Sequence, residues 1–134
     1  MIVVDANVLA YAVLPGDQTE AALGAFARDP EWVAPPLWRS EVRNVLATTM
    51  REQDLSLEDA IGAWRRATQL VLDAPLPGDT ARILRLSELA GTSAYDCEYV
   101  ALAEALGLAF VTGDRRLAQR FPDIAMKLSE FAAR

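Results

Sequence analysis

Met1-Ile2-Val3-Val4-Asp5-Ala6-Asn7-Val8-Leu9 opens the chain, and its reading decides the fold. Ile2, Val3 and Val4 are consecutive β-branched apolar residues, which suit a strand buried on both faces rather than one that alternates between core and water. Asp5 interrupts the run, and from Ala6 onward the apolar residues recur at helical spacing. A strand that stops at a carboxylate and passes straight into a helix opens a βαβ unit, because parallel strands need a crossover long enough to hold a helix.

Further apolar runs follow at Trp32 to Ala34, Leu70 to Leu72, Ala109 to Thr112 and Ala125 to Leu128. Segments of helical period lie between them. Asp17-Gln18-Thr19-Glu20 and Ser56-Leu57-Glu58-Asp59 read as capping boxes that open helices, and Gly91 and Gly107 fit the residue just past a helix end. The alternation predicts an α/β fold, a central and mostly parallel five-stranded sheet flanked by helices. Pro35-Pro36 and Pro75 to Pro77 are too short to serve as domain linkers, and no repeat or low-complexity tract appears, so residues 1–134 read as a single domain.

Composition narrows the chemistry. The chain has no histidine, which removes imidazole bases, His-containing zinc sites and Ser-His or Cys-His nucleophile pairs. Its one cysteine, Cys97, cannot form an internal disulfide. It lies in an apolar helical stretch and reads as a small core residue. With no basic leader and no apolar run of membrane-spanning length, the expected setting is the cytoplasm, without a membrane. The net charge of −6 opposes a polyanionic partner. However, all but one of the 13 basic residues are arginine, the side chain best shaped for phosphate, and cations held at an acidic site would reverse the local sign.

Four carboxylates carry the functional reading. Asp5 and Asp114 each close an apolar strand and precede a helical stretch, so each taken alone reads first as an N-cap. Together they stand at the carboxyl ends of two central parallel strands, where ligands bind in open α/β sheets. Glu41 falls in the helical segment Pro36 to Met50, on the apolar stripe with Leu37, Trp38 and Val45. No Lys or Arg occupies its i±3 or i±4 positions. It therefore meets either a cation or an arginine from elsewhere in the fold, the cation being preferred. Asp96 closes the capping box Ser93-Ala94-Tyr95-Asp96 at the head of a nearly all-apolar helix, which brings it to the edge of the core. Four such acids cannot all stay ionised at one place near neutral pH without cations, and hard oxygen ligands select Mg²⁺ or Mn²⁺ over zinc. The chemistry that follows is metal-assisted phosphodiester hydrolysis.

Weaker candidates surround these four. Asn7, Ser40 and Thr112 are placed to orient ligands or water, although ordinary turn and capping bonds explain them equally well. Arg39, Arg43, Arg115 and Arg116 lie close in sequence to the acids and are candidates for RNA phosphate contacts, with solvated charge as the default. Trp32, Trp38 and Trp64 read as core or interface.

Four segments, taken in order, are similar to a known family: Val3-Val4-Asp5-Ala6-Asn7-Val8-Leu9, Leu37-Trp38-Arg39-Ser40-Glu41-Val42, Ala94-Tyr95-Asp96-Cys97-Glu98-Tyr99-Val100-Ala101-Leu102-Ala103 and Val111-Thr112-Gly113-Asp114. Together they resemble the VapC toxins of the PIN-domain family over essentially the whole chain. The resemblance implies a PIN-like fold and an endoribonuclease that cuts structured RNA, tRNA or rRNA, with Mg²⁺ or Mn²⁺. Asp5, Glu41, Asp96 and Asp114 would be its acidic metal ligands. It further implies a homodimer and a VapB-type antitoxin, through which DNA is reached indirectly.

Two other readings compete. Leu70-Val71-Leu72-Asp73 resembles the phosphoacceptor strand of a receiver signalling domain, with Lys127 late in the chain, although receivers pair two acids after the first strand and here Ala6 and Asn7 follow Asp5. A catalytically inactive PIN scaffold kept for protein interaction is the other, since a fold does not fix a function.

Overall fold

Ile2–Val4 form strand β1, and every residue of it is buried. The structure, a computed structural model, describes residues 1–75 and 77–134. Leu76, inside the Pro75 to Pro77 stretch, lies outside the described residues. After β1 come helices α1 (Ala6–Val13) and α2 (Thr19–Arg28), strand β2 (Trp32–Ala34), helices α3 (Trp38–Gln53) and α4 (Leu57–Leu70), and strand β3 (Val71–Asp73). The chain continues through α5 (Thr80–Ala90), α6 (Ala94–Leu106), β4 (Phe110–Thr112), α7 (Arg115–Arg120), β5 (Ala125–Lys127) and α8 (Leu128–Ala132).

The sheet has the order β3-β2-β1-β4-β5. All of its pairings are parallel, where the sequence predicted a mostly parallel sheet. Val3 is in register with Val33 on one side and Phe110 on the other. From β1 the chain builds outward in one direction through β2 and β3, then crosses back and builds in the other through β4 and β5. The sheet therefore changes direction between β1 and β4, and a crevice opens beyond the carboxyl ends of those two strands.

Local chemistry explains most element boundaries. Ser56 and Ser93 cap α4 and α6, their hydroxyls accepting from Asp59 N at 3.0 Å and Asp96 N at 3.1 Å. Gly91 and Gly107 end α5 and α6 with φ of 64° and 65°, a left-handed conformation that costs a side-chain-bearing residue more. The capping box expected at Asp17 does not form. Gln18 occupies the N-cap without a side-chain bond, and the Thr19 hydroxyl donates instead to the Leu14 carbonyl at 2.8 Å. The third strand lies one residue later than expected, because α4 carries its helical bonding through Leu70.

Large rings pack in pairs within and against the core. Phe26 meets Trp32 edge-on, Trp38 stacks on Trp64, and Tyr99 stacks on Phe110 with centroids 5.7 Å apart. Helix α6 is buried along Cys97, Tyr99, Val100, Ala101 and Ala103, in line with its apolar sequence. Burial, with Asp96 next to it, pushes the Cys97 thiol up from its ordinary value, which suits a packing role. No helix among the described residues is long and apolar enough to cross a membrane.

Candidate functional site

Among the described residues, Asp5 is the carboxylate held by the most donors. As the N-cap of α1 it accepts from Val8 N at 3.0 Å through Oδ1. Its Oδ2 accepts from the Thr112 hydroxyl and from Gly113 N at 3.2 Å, both at the end of β4. These bonds lower its pKa, but burial outweighs them, and the Glu41 charge adds to the rise, so the carboxyl is pushed up to about 6. An acid tied by three donors and still reluctant to ionise is one that a nearby cation would stabilise strongly.

Thr112 joins two acids. Its fully buried hydroxyl donates to Asp5 and accepts from Asp114 N at 2.9 Å, so the end of β1 and the start of α7 share one bridge. Asp114 caps α7, with Oδ1 accepting from Arg116 N at 2.8 Å. Asp96 lies in the first turn of α6, where Oδ2 accepts from the Thr92 hydroxyl at 2.8 Å.

Glu41 reaches the same place from α3. The arginine weighed as its partner from sequence does not meet it among the described residues. Its Oε1 accepts from the Tyr99 hydroxyl at 2.6 Å, a neutral donor on α6. Burial pushes the Glu41 pKa up; the Tyr99 bond opposes the rise, and the charges of Asp96 and Glu98 add to it.

Asp5, Glu41, Asp96 and Asp114 together line a cavity of about 690 Å³, with Asn7 and Ser40 also on its wall. The four acids come from four separate elements. Among the described residues, no three such side chains stand close enough to enclose an ion between them. The donor set is nevertheless all oxygen, which suits a hard divalent cation. Mg²⁺ in particular is commonly held by one or two carboxylates while water and phosphate complete its shell. The residues present therefore fit such an ion.

Tyr99, Asn44 and Tyr95 also belong to the cavity wall, and sequence reasoning passed over all three. A signal was available for two of them. Asn44 and Tyr99 each lie three residues beyond an acid on the same helix, Glu41 and Asp96, and so share its face.

The four arginines do not line this cavity. Arg39 pairs with Asp73 at 3.2 Å and lies over the Trp38 ring, while Arg43 lies over Trp64. Arg115 and Arg116 are exposed at the start of α7. Asp73 is also remote from the acids. It ends the edge strand β3, separated from β1 by β2, and accepts from Trp38 Nε1 at 2.7 Å. A phosphoacceptor aspartate would have to stand beside the acid that ends β1, and this topology places Asp73 two strands away.

Comparison with known proteins gives the chain its family and agrees with its fold. Residues 2–121 match the family described as PIN domain. The chain is 38% identical over 120 residues to Ribonuclease VapC9 of Mycobacterium tuberculosis, covering 87% of this chain and 88% of that one. It is 32% identical over 131 residues to Ribonuclease VapC3 of Pyrobaculum aerophilum, covering 90% and 95%. The crystal structure of PAE2754 from Pyrobaculum aerophilum superposes with a TM-score of 0.77 over 99% of this chain and 97% of that one. At 22% identity, this likeness speaks for the fold.

Proposed function

Because the chain belongs to the PIN-domain family, with VapC ribonucleases among its relatives, we propose that it is a toxin endoribonuclease that hydrolyses phosphodiester bonds of structured RNA, tRNA or rRNA, at a Mg²⁺ or Mn²⁺ site. The observation that carries this reading is the convergence of four carboxylates from β1, α3, α6 and the β4–α7 junction on one cavity. Bound there, a divalent ion supplies a lowered pKa for water and neutralises the charge that develops on the phosphate oxygens.

The chain's own residues divide the work. Asp5, held by Val8, Thr112 and Gly113, is the fixed ligand, and its raised pKa makes cation binding and deprotonation one linked event. Thr112 sets the spacing between Asp5 and Asp114. Glu41 and Asp96 each have one oxygen engaged by a neutral hydroxyl, and their second oxygens remain for the ion or its water. With the protein's donors all carboxylate oxygens, and water and phosphate completing the shell, the reaction needs no histidine.

The resemblance extends the proposal to a homodimer and to a VapB-type antitoxin that blocks the cavity and carries the DNA contact. Purified protein is expected to cut RNA with Mg²⁺ or Mn²⁺ and to stop with EDTA. Glu41→Gln and Asp96→Asn are expected to abolish cutting and weaken Mn²⁺ binding by calorimetry while circular dichroism stays unchanged. An intact, Mn²⁺-binding protein that leaves RNA uncut would instead favour the interaction scaffold.

A further inference from the structure

A second cavity, of about 360 Å³, opens beside the acidic one, and Asn7 and Val45 line both. Its chemistry is different. No lysine or arginine faces it, Asp17 is its one charged residue, and its polar wall consists of neutral amides and hydroxyls, among them Asn7, Tyr11, Gln18, Thr49 and Gln53. Among the described residues, the side-chain hydrogen bonds of this wall are those of Thr19 to the Leu14 carbonyl and Thr49 to the Val45 carbonyl, each 2.8 Å. The Tyr11 hydroxyl and the three amides are left for a ligand.

We propose that this cavity is a nucleobase subsite, which takes the base of a nucleotide flanking the phosphate under attack in an unpaired stretch of RNA. The inference rests on the ribonuclease reading and adds to it where the base goes. A phosphate would find no cation here and would meet Asp17, so the sugar-phosphate chain is excluded and the uncharged part of the nucleotide is favoured. Amides that donate and accept are the groups that read base edges, and unpaired bases stack on aromatic side chains.

Tyr11 supplies the ring, and the site holds it in place. A Cβ added at Gly113 would lie 2.9 Å from Tyr11 Cε2, so the absence of a side chain there lets the ring close on the backbone between Thr112 and Asp114. The ring edge is thus packed against Gly113, beside Asp114 at the end of β4.

The test is photo-crosslinking of the intact protein to single-stranded RNA oligonucleotides carrying 4-thiouridine or 6-thioguanosine, in Ca²⁺, with adducts mapped by peptide mass spectrometry. Adducts are expected at Tyr11, within the tryptic peptide Met1 to Arg28. Tyr11→Leu, which keeps apolar bulk against Gly113, should lower the yield about tenfold. Gln53→Ala, at an exposed helix end, should alter the ratio between the two probes while the fold is untouched. Adducts confined to other peptides, with RNA still cut, would overturn the subsite and leave the cavity to a protein partner. Adducts at Tyr11 without cleavage of any RNA in Mg²⁺ or Mn²⁺ would support base binding in this cavity and overturn the nuclease reading, and with it the phosphate under attack.

Discussion

The Tyr99 hydroxyl donates to Glu41 Oε1 at 2.6 Å and joins α6 to α3 across 58 positions of sequence. The bond fixes which way the Glu41 carboxylate faces, and it lowers a pKa that burial and two neighbouring acids push up. Tyr99→Phe keeps the ring on Phe110 and removes only the donor. The expected result is a protein of near-native stability whose RNA cleavage falls about tenfold, in keeping with the loss of a bond to a charged acceptor. The sign of the pH effect follows: without its donor, Glu41 ionises at higher pH, so the acid limb of the pH–rate profile should move upward.

Asp5 makes the metal-free protein sensitive to pH. Its folded pKa of about 6 lies above the ordinary 3.8, so between those values the folded state binds the proton more tightly. Its contribution to stability is fully present below pH 4 and is lost as pH rises through 6, a difference of roughly 3 kcal/mol at most. Thermal unfolding in EDTA should show a melting temperature that falls across this window. Mn²⁺ should restore it at pH 7, and Asp5→Asn should flatten the slope.

Gly113→Ala tests the close approach of β4 to α1. The new Cβ would stand 2.9 Å from Tyr11 Cε2 and 3.1 Å from Asn7 Cβ, and the second contact cannot be relieved by a rotamer change. Overpacking of this kind costs about 1–3 kcal/mol, measurable by urea unfolding. Because Asp114 is the next residue, RNA cleavage should fall as well.

Asp73 separates structure from function. It holds Trp38 Nε1 at 2.7 Å and Arg39 Nε at 3.2 Å at the sheet edge. Asp73→Asn should cost about 1 kcal/mol in stability. It should also leave RNA cleavage within about twofold of the wild type, since the loss of that bond does not reach the acids. Acetyl phosphate should leave the wild-type protein unlabelled.

Much of this arrangement could be read before any coordinates, for physical reasons. A run such as Ile2-Val3-Val4 has few alternatives to a buried strand, and a carboxylate at its end marks the sheet's open crevice whatever else the chain does. Glu41 stood out because an acid on an apolar stripe demands an explanation. Its partner did not, because Tyr99 looks like any buried aromatic until α3 and α6 are placed side by side. Capping at Asp17 failed for a related reason: the competing bond from Thr19 to Leu14 depends on how the α1–α2 turn folds back. The arginines were judged by sequence proximity, which says nothing about Arg39 and Arg43 being drawn onto the faces of Trp38 and Trp64.

The first strand of the sheet waits for its neighbour. Asp5 and the hydroxyl that holds it stand 107 residues apart, so a chain under synthesis presents the carboxylate well before its partner. A nascent chain that has progressed only through β3 can assemble one wing of the sheet and still has neither Asp96 nor Asp114 to offer. The cavity therefore gains its last acid only after β4 has been made, and a fragment that stops short of Phe110 lacks both Asp114 and the Thr112 hydroxyl that holds Asp5.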